Sequence, residues 1–229
     1  MKLSWLGHSG FRIEIEDQVL LLDPWLGNPL FDPARRGEAI AGATHLLLTH
    51  GHFDHVVDSI DIAKELDVPV VGIFDMVSHW EQKHAIKGVG FNKGGTVRLG
   101  EVAVTMVNAV HSSSWSGTDG PVYAGTESGF MIAGEGRTIY VSGDTDVMAD
   151  MALFEELHHP EIGILCAGGH FTMGMERAAF AARRFFNFRT VIPCHYRTFP
   201  LLEQSADKLR AGLPGVDVRT PEVLETIEL

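Results

Sequence analysis

The segment Thr49-His50-Gly51-His52-Phe53-Asp54-His55 puts four side chains able to bind a metal within six residues. Directly before it, Leu46-Leu47-Leu48 reads as a short buried strand. Residues two apart in an extended segment share a side, so His50 and His52 can hold one ion together. Asp54 and His55 fall on the following turn, offset from that pair, where they would face a second ion. Gly51 permits a sharp backbone turn between the two histidines. Imidazole and carboxylate donors suit zinc, manganese, nickel or iron. A closed structural zinc site would normally use cysteines. The only two, Cys166 and Cys194, lie far from the motif and form no C-x-x-C. The pattern predicts a catalytic centre with open coordination positions rather than a polar loop of surface histidines.

Three later apolar runs end in residues of the same chemical kind. His111 follows Val102–Val110, Asp144 follows Ile139-Tyr140-Val141-Ser142-Gly143, and His195 follows Val191-Ile192-Pro193-Cys194. Loops just beyond buried strands are where a rigid scaffold carries chemistry, so these three are the expected remaining ligands. Four other residues admit two roles. His8, in the first turn, and His170, in a Gly-rich loop, are either hydrogen-bonded loop residues or groups facing the metals. Asp58 is either a helix N-cap or a partner of a ligand histidine. Arg197, next to Tyr196 and His195, either holds an anionic substrate group by paired hydrogen bonds or forms a surface ion pair.

The elements that must position these groups follow from periodicity and punctuation. Lys2–Leu6, Phe11–Glu16 and Val19–Leu22 read as strands, and Pro24 stops the third. Leu26–Gly42 reads as a loop, Ala43–Thr49 as a strand, Asp58–Leu66 as a helix and Val68–Phe74 as a strand. An irregular region comes next. Beyond it, strands are expected at Thr96–Leu99, Val102–Asn108, Val122–Ala133 and Thr138–Ser142. The remainder alternates: helix Val147–Leu157, strand Ile162–Cys166, helix Met175–Phe186, strand Thr190–Pro193, helix Leu201–Ala211 and strand Val223–Ile227. A strand-rich middle flanked by βα units predicts two sheets covered by helices, in one domain spanning 1–229.

Composition narrows the function classes. Lys plus Arg is 18 and Asp plus Glu is 30, a net charge of −12. A protein so acidic lacks the basic face that nucleic acid or an anionic membrane surface would require. The amino terminus has no apolar core of signal-peptide type, and no run approaches the length of a membrane span. A cytoplasmic enzyme acting on a small molecule is the expectation, and a homo-oligomer is compatible with it.

The series His50-Gly51-His52-Phe53-Asp54-His55, His111, Asp144 and His195, in that order, resembles the metallo-β-lactamase fold superfamily. Asp23, ending an early strand, matches its first motif, a buried aspartate that orients the metal loop. Trp5-Leu6-Gly7-His8-Ser9, Gly169-His170-Phe171-Thr172-Met173-Gly174 and His195-Tyr196-Arg197-Thr198-Phe199-Pro200 resemble the UPF0173 metal-dependent hydrolases and the related ascorbate-phosphate lactonases. The resemblance runs from Lys2 to about Leu209. It implies an α+β fold, an αββα four-layer sandwich of two mixed sheets flanked by helices. It also implies two divalent metal ions, with His50, His52 and His111 on one, Asp54, His55 and His195 on the other, and Asp144 bridging. The implied chemistry is hydrolysis of a small, anionic ester, lactone or phosphodiester, with Asp54 orienting the attacking oxygen and His8 or His170 assisting. Iron-dependent redox chemistry on the same ligands, or metal binding without turnover, are the rival readings. Specificity is expected from loops such as Leu26–Gly42 and Ser112–Pro121.

Overall fold

The computed structural model describes residues 1–229. Strands β1 (Lys2–Trp5), β2 (Phe11–Ile15) and β3 (Gln18–Leu22) pair antiparallel, with Phe11, Ile13 and Ile15 alternating into the core. The chain then runs through α1 (Arg36–Ile40) to β4 (His45–Leu48), through α2 (Phe53–Val56) and α3 (Ser59–Leu66) to β5 (Val70–Ile73), and through α4 (Phe74–His84) to β6 (Gly88–Phe91). From β3 to β6 the pairing is parallel. Buried on both faces, β4 and β5 are apolar without alternation, as parallel strands are.

The second half repeats the plan. It begins with β7 (Thr96–Leu99) and β8 (Val102–Asn108), then a separate hairpin of β9 (Ser114–Gly117) and β10 (Gly120–Tyr123). Next come β11 (Ser128–Gly134), β12 (Arg137–Val141), α5 (Met151–His158), β13 (Ile162–Cys166), α6 (Met175–Phe185), β14 (Thr190–Cys194), α7 (Asp207–Gly212) and β15 (Asp217–Val218). A last strand, β16 (Thr226–Glu228), returns to pair with β1. The two seven-stranded sheets run β16-β1-β2-β3-β4-β5-β6 and β15-β14-β13-β12-β11-β8-β7. Helix α4 covers β5 and β6, and α6 covers β13 between α5 and α7, which completes an αββα sandwich. One continuous cluster of 62 buried residues joins the layers, enough core to hold the loops above it rigid. No helix is long and apolar enough to cross a membrane.

Several elements differ from the sequence expectation. The irregular region after Phe74 is α4 and β6: Met76, Val77 and Trp80 bury a helical stripe too short to stand out, and the Gly-rich β6 is a strand through pairing with β5. Leu26–Gly42 contains a 3-10 turn (Pro33–Arg35) and α1. The long strand expected over Val122–Ala133 is two, because Gly125 takes φ +79° between β10 and β11. The last helix is confined to α7, and β15, two residues long, is too brief to signal itself.

Candidate metal centre

Six loops meet at one edge of the sandwich. His8, Asp23 and His50 each lie within three residues of the C-terminal end of β1, β3 or β4 in the first sheet. His111, Asp144 and His195 stand likewise after β8, β12 and β14 in the second. Backbone bonds clamp the two sheets together here: Ser128 N–H donates to the Thr49 carbonyl at 3.0 Å and His195 N–H to the His8 carbonyl at 3.0 Å. His8, Asp23, His195 and Arg197 occupy the left-handed backbone region, a concentration of strain that the packed sheets must hold. Gly168 has no side chain because a Cβ there would strike the His195 carbonyl. Gly51 serves the same end, since a Cβ would strike Ala124; it provides close approach rather than the sharp turn expected of it.

The protons follow from the hydrogen-bond network. Buried Asp23 accepts from Thr49 N–H at 2.9 Å, the Thr49 hydroxyl at 2.6 Å and His55 Nδ1 at 2.8 Å. With its proton given to Asp23, Thr49 Oγ1 accepts from His50 Nδ1 at 3.0 Å. His52 Nε2 donates to Ser112 Oγ at 3.3 Å. These partners turn the remaining ring nitrogens inward: His50 Nε2 and His52 Nδ1 lie 3.0 Å apart, and His55 Nε2 has no hydrogen-bond partner. Two lone pairs at that distance repel unless a cation lies against both.

Asp144 occupies the middle. Its Oδ2 lies 3.0 Å from His195 Nε2, 3.4 Å from His55 Nε2, 3.7 Å from His111 Nε2 and 3.9 Å from His50 Nε2, and its Oδ1 has no partner. Three groups of donors, each within 4.8 Å of one another, result: His50, His52 and His111; His50, His55 and Asp144; His8, Asp54, His55 and His195. Burial pushes the His50 imidazole well below its ordinary range, reinforced by the neighbouring His55, so it is neutral. Burial also disfavours charge on His55 and His195, but Asp144 outweighs it, with Asp23 adding to the effect at His55. Both imidazoles are raised, His195 to about 9. In reverse, the two imidazoles hold Asp144 well below the usual carboxylate range despite its burial. Protons therefore stand where cations would, and metal binding displaces them. This donor set, with its orphaned buried atoms, fits two divalent cations.

Of the two roles open to His8, its position is that of the hydrogen-bonded one. It is fully buried and does not line the cleft. Burial pushes its pKa down to about 4 against the pull of Asp54, so the ring carries one proton. That proton is on Nε2, donated to Asp54 Oδ2 at 3.0 Å, and Nδ1 lies 2.9 Å from the Thr198 hydroxyl oxygen, which also lies 3.2 Å from the Tyr196 carbonyl. His170 is exposed, packs edge-on against Phe171 and lies outside the cleft, so nothing in its position supports a catalytic role. Tyr196 is buried and stacked on Trp5, with ring centroids 5.4 Å apart. Arg197 lies over the other reach of Trp5 and pairs with Glu222 at 3.4 Å. Neither lines the cleft. Asp58 precedes α3 without capping it; its carboxylate accepts from Leu26 and Gly27 N–H, fixing the loop behind Trp25. Both cysteines are buried and free.

The sequence reading missed Thr49, Thr198 and Ser112, which set the ring protons. Their only signal was nearness in the chain: Thr49 and Ser112 adjoin His50 and His111, and Thr198 lies three residues past His195. It also missed Phe53, Phe171, Phe199 and Leu201, which wall a cleft of about 540 Å³ over the donors.

A family model described as the β-lactamase superfamily domain matches residues 18–196. Among solved structures, a metallo hydrolase from the hyperthermophilic archaeon Ignicoccus hospitalis superposes with a TM-score of 0.86 at 29% identity, covering 99% of this chain and 97% of its own. Fold and donor cluster together define a metal-dependent hydrolase of the metallo-β-lactamase fold. A UPF0173 metal-dependent hydrolase of Dinoroseobacter shibae is 68% identical, and one of Paracoccus denitrificans 67%, each over 230 residues covering 100% of both chains. The chain belongs to this UPF0173 family of the β-lactamase superfamily.

Proposed function

We propose that the protein hydrolyses a small ester, lactone or phosphodiester at two divalent cations, zinc foremost, with manganese, nickel or iron able to replace it. His50, His52 and His111 would hold one cation, Asp54, His55 and His195 the other, and Asp144 both. The observation that carries this reading is the position of Asp144 Oδ2, within 3.9 Å of four inward-facing imidazole nitrogens. Cations bound there supply a water acidified toward neutral pH and an electrophile for the scissile oxygen.

The chain's own residues do the rest. Asp54 remains ionised, because His195 and His8 outweigh its burial, so its carboxylate orients an attacking oxygen rather than storing a proton. His8, anchored by Thr198, fixes the direction of that carboxylate. Phe53, Phe171, Phe199 and Leu201 border the donors with apolar surface. Attraction for an anionic substrate rests on the cations alone, since no Lys or Arg lines the cleft. The surface charge of −12 opposes it only weakly, being screened beyond about 8–10 Å. Nucleic acid is not a substrate in this reading, which places the enzyme in the cytoplasm and accommodates a homo-oligomer. Metal analysis of purified protein, followed by a screen of lactones, esters and bis(p-nitrophenyl) phosphate, tests the proposal. Two equivalents of metal with turnover in one class supports it; fully loaded protein inert toward all three contradicts it.

A further inference from the structure

The cleft over the donors has walls of a different chemistry from its floor. Phe53 opens α2, Phe171 stands in the loop after β13, and Phe199 and Leu201 stand in the loop after β14. Three separate elements thus bring apolar side chains to one mouth. Phe53, Phe171 and Leu201 are left 54%, 51% and 65% exposed, although a large core is available to cover such groups. Trp25 packs against Phe53 and Phe199, with ring centroids 5.6 and 5.8 Å apart, and so joins two of the walls. Phe171 stands 6.5 Å from the His195 ring, so the apolar surface runs directly into the donor cluster. A contiguous apolar surface bordering polar groups marks a binding site, and about 540 Å³ is ample for a ring and the bond beside it.

We propose that the arm of the substrate that does not react is aromatic or of similar apolar bulk, seated among Phe53, Phe171, Phe199 and Leu201. An anionic arm has no counter-ion among these walls, because no Lys or Arg lines the cleft, and the cleft's two carboxylates, Asp54 and Asp144, belong to the donor cluster on its floor. The proposal rests on the hydrolytic reading for the reacting end, but recognition of the arm does not require turnover. It is therefore tested by binding.

Calorimetry on the metal-loaded protein compares phenylphosphonate with methylphosphonate, which share the end that meets the metals. Burial of one ring predicts that the phenyl compound binds about 10- to 100-fold more tightly. Phe171→Ala and Leu201→Ala alter exposed side chains and leave the core intact, so both variants fold. Each should reduce the ratio severalfold, and the double variant should bring it within about threefold. A ratio below threefold in the unaltered protein, or one unchanged in the double variant, overturns the proposal. So does sedimentation showing two copies joined through Phe171 and Leu201 in a dimer that phenylphosphonate does not dissociate. If the phenyl preference holds while no ester, lactone or phosphodiester is cleaved, the hydrolytic reading falls and the aromatic site stands.

Discussion

Replacing Asp23 by Asn should disable both halves of the metal centre without touching a ligand. Asn tolerates the left-handed backbone at this position (φ +41°), so strain is not the cause. The amide oxygen can keep the bond from Thr49 N–H, which puts the amide nitrogen where Oδ2 accepts from the Thr49 hydroxyl and His55 Nδ1. A donor then meets two donors. Thr49 Oγ1 must turn its proton to His50 Nδ1, and His55 must move its proton to Nε2. Both imidazoles now present N–H instead of a lone pair to the centre, one in each donor group. Loss of such a partner typically costs 10- to 100-fold in metal affinity, so each site should weaken by about that factor. Folding stability should fall by about 2–4 kcal/mol, the cost of disturbing buried charge-assisted bonds. Competition against a chromophoric chelator measures the affinities, and nitrogen-15 spectra of the histidines report the tautomers. Affinities within threefold of wild type, with both Nε2 atoms unprotonated, would refute the reasoning.

Asp144→Ala should lower metal content at both sites and reduce activity to background, as its Oδ2 faces imidazoles from both donor groups; full metal content by elemental analysis would show that it bridges nothing. His8→Ala should keep both metals while lowering kcat by about 10- to 100-fold, because Asp54 loses its orienting bond; loss of one equivalent would make His8 a ligand. Above about pH 7.5, where the histidines with lowered pKa values are neutral in both states, the metal-free protein should lose stability as pH rises. His195 is raised to about 9 in the fold against 6.5 unfolded, so its contribution is complete below pH 6.5 and gone above about 9. That contribution is on the order of 3 kcal/mol. Thermal melts of chelated protein between pH 6 and 9.5 should show the decline, and a flat profile would contradict it.

Much of the centre was legible because its chemistry is local in the chain. The spacing of His50, His52, Asp54 and His55 needs only a strand and a turn to bring donors together, and His111, Asp144 and His195 announce themselves as polar residues ending apolar runs. Neighbours in sequence misled where backbone conformation decides direction. Tyr196 and Arg197 adjoin His195, yet both pack against Trp5, and His170 faces solvent while Phe171 beside it lines the cleft. Asp58 read as either a cap or a partner of a ligand histidine, and its carboxylate instead holds Leu26 and Gly27, the former a contact across 32 residues that no periodicity encodes. Helix α4 and strand β6 were invisible for a related reason: their apolar stripe is short, and β5 supplies the pairing that Gly88 and Gly90 do not favour by themselves.

The central claim is that two cations bind between the sheets, shared by Asp144. Anomalous diffraction from crystals of zinc-loaded protein, collected at the zinc edge, tests it most directly. Two peaks are predicted: one among His50, His52 and His111, the other among Asp54, His55 and His195, with Asp144 reaching both. A single peak, or a peak that Asp144 does not contact, would contradict the account.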